Sequence, residues 1–268
     1  MFLEQGFKSE NKFWKYIVGS IIIIFASFLG QIPLLMALLY ETFVIGKPYP
    51  TNNEAVLRFF EPNLTLFLIL ISFVFSMLGV VFVVRYLHHQ TMLSITTSRD
   101  KVDWGRIRFS FSFWALFTIV STLSFYHYNP NDFEINFKPV PFAILAVIGL
   151  LLIPIQTSSE EYIFRGYLMQ GFGNLAKNKW FPLLMTSLIF GAMHISNPEV
   201  SKLGNIIMVY YIGTGLFLGV ITLMDEGMEL ALGFHAANNL VGALLVTSDW
   251  SAFQTHSVFK DISDPSAG

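Results

Sequence analysis

Runs of about 20 mostly apolar residues, the length a helix needs to cross the hydrocarbon core of a bilayer, recur along this chain. They cover roughly residues 16–40, 63–84, 109–127, 139–165, 180–197, 205–224 and 229–247. Charged residues make up only 13% of the total and apolar residues 54%, where a soluble domain carries about 25% charged residues. The expected fold class is all-α, a polytopic transmembrane helix bundle of about 7–8 spans with the lipid bilayer as its solvent. The net charge of −2 argues against nucleic acid as a partner. The absence of cysteine excludes thiol nucleophiles, disulfides and cysteine-ligated zinc.

The first run exceeds the ~7–15-residue core of a cleavable signal peptide, so a retained first helix is expected. All Lys and Arg residues except Lys47, Arg58, Lys138, Lys202 and Lys260 fall in segments on the N-terminal side of the alternation. That bias places the N-terminus in the cytoplasm, and an odd number of spans leaves the C-terminus outside. The chain divides into N-terminal transmembrane helices over 1–138, a core with polar intrusions over 139–250, and a polar tail over 251–268 expected to be disordered.

Glu160, Glu161 and Arg165 lie in an otherwise apolar stretch. An ionisable residue in a span costs at least ~2.5–3.5 kcal/mol on the insertion scale, so three together signal function. Glu161 and Arg165 are four apart, share a helical face and can pair. Glu160 is rotated by about 100° and need not share that arginine. Two adjoining carboxylates in low dielectric do not both ionise freely. An arginine partner for one leaves the other available as a base. The rival reading, a helix ending in headgroups after Gln156, fits poorly with the apolar residues Ile163, Phe164 and Leu168 that follow. Glu160 is therefore expected inside the helix, with Pro154 kinking it about one turn earlier. His194 lies well into its own apolar run, and His235 and Asn239 are four apart on another. A lone membrane histidine is more often a helix-to-helix hydrogen bond than a catalyst. Bases and donors on three helices together suffice to activate a water and stabilise an oxyanion.

In order, Glu160-Glu161…Arg165, Phe190…His194 and His235…Asn239 resemble the three motifs of the CAAX-protease and bacteriocin-processing (Abi) family of intramembrane proteases. Gly166 matches a glycine common in that family. The likeness covers about residues 150–245 and makes 139–250 a CAAX-protease-like catalytic core built from the last four helices. It implies an endopeptidase acting on a membrane-bound protein or peptide, with CAAX-type or bacteriocin/immunity-type processing, in a bacterial cell membrane. Glu160 with His194 would activate the water, His235 and Asn239 would hold the oxyanion, and Glu161 with Arg165 would orient them. The family has been described both as metalloproteases and as glutamate-dependent enzymes. Two histidines and a glutamate would satisfy zinc with one position open. The His-Glu-x-x-His signature is absent, however, and metal-free chemistry with no required cofactor is the favoured expectation.

Two other classes of function compete, a proton-coupled transporter and a non-catalytic membrane scaffold. The lack of an inverted repeat counts against the first, and the complete polar set against the second. Other features have plainer expected roles. His88-His89 and the basic residues after them read as a cytoplasmic surface loop facing anionic lipid. Asp225, Glu226 and Glu229 read as a short turn, and Gly215 and Gly219 as a close helix contact.

Overall fold

Prolines and short polar side chains punctuate the apolar runs, and the helices start and stop at them. The structure, a computed structural model, describes residues 1–7 and 12–264, so Lys8 and residues 265–268 lie outside the described residues. Helices α1 (Phe13–Gly30) and α2 (Ile32–Phe43) form one span interrupted at Gln31, just ahead of Pro33. A short α3 (Asn53–Leu57) is capped by Asn52, whose side chain accepts from the Ala55 N–H. Helix α4 (Pro62–Phe82) opens on proline with Glu61 accepting from the Leu64 N–H, and passes into a π-helical turn over Val83–Leu87. A short α5 (Met92–Thr96) leads to α6 (Trp104–Tyr128), capped by Asp103. The Arg106 N–H bonded to Asp103 holds that carboxyl below the usual carboxylate range.

Helix α7 (Pro139–Glu161) runs through Pro154 into a second π-helical segment, Tyr162–Leu168, and on into α8 (Met169–Ala176). Then come α9 (Trp180–Ala192), α10 (Pro198–Leu203), α11 (Ile207–Asp225) and α12 (Glu229–Leu245). Strands β1 (Phe133–Ile135), β2 (Val246–Ser248) and β3 (Phe259–Asp261) form a small sheet in the order β1-β3-β2. The bundle is all-α apart from this sheet, as expected.

Among the described residues, five helical stretches are long and apolar enough to cross a membrane: Phe13–Phe43, Pro62–Leu87, Trp104–Tyr128, Pro139–Ala176 and Pro198–Asp225. The other two expected spans are shorter, with 13 residues in α9 and 17 in α12. Helix α9 rises only about 20 Å, less than the ~30 Å hydrocarbon core. The run expected as helical to residue 197 ends at Ala192 and continues as a turn to Asn197, which precedes Pro198 and takes the extended conformation (φ −71°, ψ 147°) that proline imposes on its neighbour.

Contacts between loops define the two ends of the bundle. At one end, Phe2 N–H donates to the Glu226 carboxylate, Gln5 Nε2 donates to the Thr97 carbonyl (2.8 Å), and Lys179 approaches Glu226 (3.9 Å). At the other, His256 meets Glu61 (2.6 Å), Arg58 donates to the Asp249 carbonyl (2.5 Å), and Asn136 to that of Thr255 (3.2 Å). The N- and C-terminal segments therefore sit at opposite ends, as an odd number of crossings requires.

Two local expectations are corrected, and a third, the short α11–α12 turn, is present with added ion pairs. The tail folds back through Asp264: β3 pairs on both sides, Thr255 donates to the Ala243 carbonyl (2.7 Å), and Asp264 pairs with Lys202. Its polar groups find backbone partners, which is why a polar composition does not leave it loose. His88 is buried rather than on a surface loop; its Nε2 lies 3.0 Å from the Tyr167 hydroxyl, and burial pushes its pKa down to about 4. The α11–α12 turn is an ionic lock. Glu229 is fully buried and takes Arg99 (3.2 Å) and the Asp103 N–H (3.3 Å), while Asp225 takes Arg106 (2.5 Å) and Arg99 (3.2 Å).

Helices α4, α7 and α12 share a core of Leu66, Leu70, Leu145, Ile153 and Leu240. Gly215 of α11 lies against the Ser187 backbone of α9, where a Cβ would sit 3.0 Å from its Cα, so the expected small-residue contact is present. Gly233 of α12 is tighter still, since a Cβ there would collide with the Ile107 carbonyl oxygen of α6. Gly242 on the same helix faces open space. Gly233→Ala should therefore lower stability by about 1–3 kcal/mol through overpacking. Gly242→Ala should be neutral or raise it by up to about 1 kcal/mol. Unfolding midpoints of the two variants in detergent check the contrast.

Candidate active site

The π-helical segment Tyr162–Leu168 begins directly after Glu161, so the carboxylate pair stands where the helix changes its turn. Such π-segments often mark functional positions. Glu160 lies inside a continuous 38-residue helical stretch, as expected. Arg165 Nη1 donates to Glu161 Oε1 at 2.9 Å, and both side chains are buried. The guanidinium also reaches α11, where Nη2 donates to the Gly215 carbonyl (3.2 Å). On α9, the Phe190 ring lies under it at 4.5 Å, a cation–π contact.

Helix α12 supplies the next partner. His235 Nδ1 lies 2.7 Å from Glu161 Oε1, which thus accepts from both His235 and Arg165. A carboxylate only accepts, so Nδ1 carries the proton in this contact. The opposite ring nitrogen, Nε2, faces Glu160 Oε2 at 3.5 Å. The Glu160 side chain is 16% exposed and that of Glu161 0%, so the two carboxylates differ in access as well as in partners. One turn earlier on α7 and one turn later on α12, Asn239 Nδ2 donates to Gln156 Oε1 (3.1 Å). Glu160–His235 and Gln156–Asn239 are thus successive rungs between antiparallel α7 and α12.

His194 sits in the turn beyond α9 rather than within a helix. Its Nδ1 lies 2.8 Å from the Phe190 carbonyl, an acceptor, so Nδ1 holds the proton and Nε2 the lone pair. The ring stacks on Tyr211 at 4.4 Å. Phe190 approaches both histidines, its ring 4.8 Å from that of His194 and 6.2 Å from that of His235. Among the described residues, no hydrogen bond or ion pair joins His194 to Glu160 directly; the imidazole that meets Glu160 is His235.

The type II CAAX prenyl endopeptidase Rce1-like family matches residues 139–241, the stretch from the start of α7 to just past Asn239. An uncharacterized protein of Bacillus subtilis (strain 168), YyaK, is 31% identical over 247 residues, covering 92% of this chain and 82% of that protein. This chain belongs to the Rce1-like family. It is an integral membrane protein, and membership makes it a CAAX-type intramembrane protease at the level of the family. No solved structure matches it.

All six sequence-derived residues fall within the Rce1-like segment. Among the described residues, no group of three or more His, Asp or Glu side chains is arranged to hold a metal ion. Among the described residues, no hydrogen bond or ion pair joins His194 to Glu160 or His235, and no step is routed through a metal. The sequence reading passed over Gln156, whose signal was its place four residues before Glu160. It also passed over Trp114 and Asn238, which meet through Nε1–H to Oδ1 at 3.1 Å.

Because Glu161 and Arg165 are both buried, removing one strands the other. Arg165→Met should cost about 3–5 kcal/mol of stability. The double variant Glu161→Gln/Arg165→Met should lose less than Arg165→Met alone. Equilibrium unfolding in mixed micles of detergent and lipid measures both.

Proposed function

We propose that this protein is an intramembrane endopeptidase that hydrolyses one peptide bond of a membrane-associated protein or peptide, using water activated at Glu160. The observation that supports it most is the division between the two carboxylates. Glu161 is committed to Arg165 and His235, while Glu160 is the accessible one and, among the described residues, keeps the longer 3.5 Å approach to His235. Contacts of this kind are often long before substrate binds.

In the proposed step, Glu160 takes a proton from water as the water oxygen attacks the scissile carbonyl carbon. The negative charge moves to the carbonyl oxygen, where it is received by Asn239 and by a His235 that carries a proton on Nε2 as well as on Nδ1. The C–N bond then breaks, and Glu160 returns its proton to the leaving amine. His194, with its Nε2 lone pair, is the second base beside this path. Glu161 and Arg165 hold the His235 ring and fix which nitrogen faces Glu160.

His235 is six residues from the start of α12, about 9 Å along its axis. The site is therefore nearer the end that carries the N-terminus. We assign that end to the cytoplasm from the distribution of Lys and Arg, in a bacterial cell membrane, so the substrate enters from the cytoplasmic side. A CAAX-type substrate is the first choice because the family is described by it; bacteriocin- or immunity-type processing is the second.

Mass spectrometry of membranes with wild-type protein or a variant tests the reading. Wild type should yield a peptide shortened at one bond. Glu160→Ala and His194→Ala should each lower its formation by about 10²–10⁴-fold, the usual contribution of a general base, with normal insertion. Wild-type turnover in Glu160→Ala removes the mechanism. Proton-driven flux in liposomes without cleavage would favour a transporter instead.

A further inference from the structure

Four polar side chains on three helices form one hydrogen-bonded row beside the carboxylates. Trp114 Nε1 of α6 donates to Asn238 Oδ1 (3.1 Å), Asn238 Nδ2 to Asn239 Oδ1 (3.1 Å), and Asn239 Nδ2 to Gln156 Oε1 (3.1 Å) on α7. An amide can ordinarily be turned end for end, and the direction of such a row is then undefined. Here it is defined, because an indole nitrogen only donates. Its N–H demands the Asn238 oxygen, which leaves the Asn238 amino group to face Asn239. That demands the Asn239 oxygen in turn, and the Asn239 amino group then demands the oxygen of Gln156. The Gln156 Nε2 amino group is left over. It has no hydrogen-bond partner among the described residues, and on a residue only 3% exposed overall this amino group keeps access to the surface.

Gln156 lies one helical turn before Glu160 on the same face of α7, across from the His235–Asn239 face of α12. A donor with fixed direction, little exposed and not yet engaged, is what stabilisation of a developing negative charge requires.

We propose that Gln156 is a further catalytic residue, whose amino group donates to the oxyanion together with Asn239, and that Trp114 and Asn238 are positioning residues that set the direction of this donor. The proposal rests on Glu160 as the base and adds to it a donor that the three motifs do not contain. Trp114 is well placed to hold the direction, its ring lying against Phe234 of α12 at 4.2 Å. The carbonyl of the scissile bond would lie between the two rungs of the α7–α12 ladder, with the attacking water on the Glu160 side and the amide donors on the other.

The test uses the full chain in lipid vesicles and a farnesylated reporter peptide ending in a CAAX box, with fluorophore and quencher on either side of the scissile bond. Gln156→Met keeps an unbranched side chain and removes the donor; kcat should fall about 10²–10³-fold, the usual loss for one oxyanion donor, with KM unchanged. Asn238→Asp reverses the row without touching Gln156. At alkaline pH its carboxylate accepts from both Trp114 and Asn239, the Asn239 oxygen turns to Gln156, and the Gln156 oxygen points outward. Its kcat should fall in the same manner. Unfolding midpoints close to wild type separate these losses from misfolding. Wild-type kcat in Gln156→Met overturns the catalytic assignment, and wild-type kcat in Asn238→Asp overturns the directional one. Glu160→Ala is the discriminating control: if it still cleaves, the base has been misassigned, whereas an inactive Glu160→Ala beside a fully active Gln156→Met refutes the relay alone.

Discussion

The buried ion pair between Glu161 and Arg165 constrains everything around it. Two charges withdrawn from water cost several kcal/mol each after relaxation, and their mutual attraction offsets this only when further polar groups complete the geometry. Here those groups come from three other helices: the His235 imidazole of α12, the Gly215 carbonyl of α11 and the Phe190 face of α9. Gly215 thus has two roles, since the close approach of α11 to α9 also brings its carbonyl beside the guanidinium. Such a pair adds little net stability. Its effect is to fix how four helices meet, and with them the orientation of His235 toward Glu160.

The same economy governs the ends of α9 and α12. Helix α9 is too short to cross, so His194 lies on non-helical backbone. Such backbone is tolerated at membrane depth only where its polar groups are satisfied. Its own turns supply this, with His194 N–H bonded to the Gly191 carbonyl (2.9 Å) and Asn197 N–H to that of His194 (3.0 Å). Helix α12 is held at its start by Glu229, which Arg99 and Asp103 bind from the loop before α6. That lock sets the depth of His235. At the far end the folded C-terminal segment ties to the region after His194, where the Ala252 N–H donates to Glu199 (2.7 Å).

Local features of the chain were legible wherever lipid or helical periodicity dictates the answer. Long apolar runs marked the helices. The four-residue spacing of Glu161 and Arg165 announced their pairing, and the spacing of Gly215 and Gly219 announced a close helix contact, though not that α9 would be the partner. What stayed hidden depends on partners far apart in sequence. Nothing near His88 indicates that Tyr167 will bury it. Nothing in the polar tail reveals that β1 and β2 will flank its strand. That Glu160 meets His235 rather than His194 follows from the antiparallel register of α7 against α12, which no single-helix pattern contains. Gln156 was missed for the same reason, since a lone glutamine in a span acquires meaning only beside Asn239.

The central claim is that α7 and α12 face each other in one register, with their polar side chains level. The chain has no cysteine, so an introduced pair reports on itself alone. Gln156→Cys combined with Asn239→Cys, treated in native membranes with a short bis-methanethiosulfonate, tests that register directly. Efficient linking of these two positions is predicted, with Gln156→Cys paired to Leu245→Cys remaining unlinked. Failure of the first pair, or preference for the second, would contradict the account.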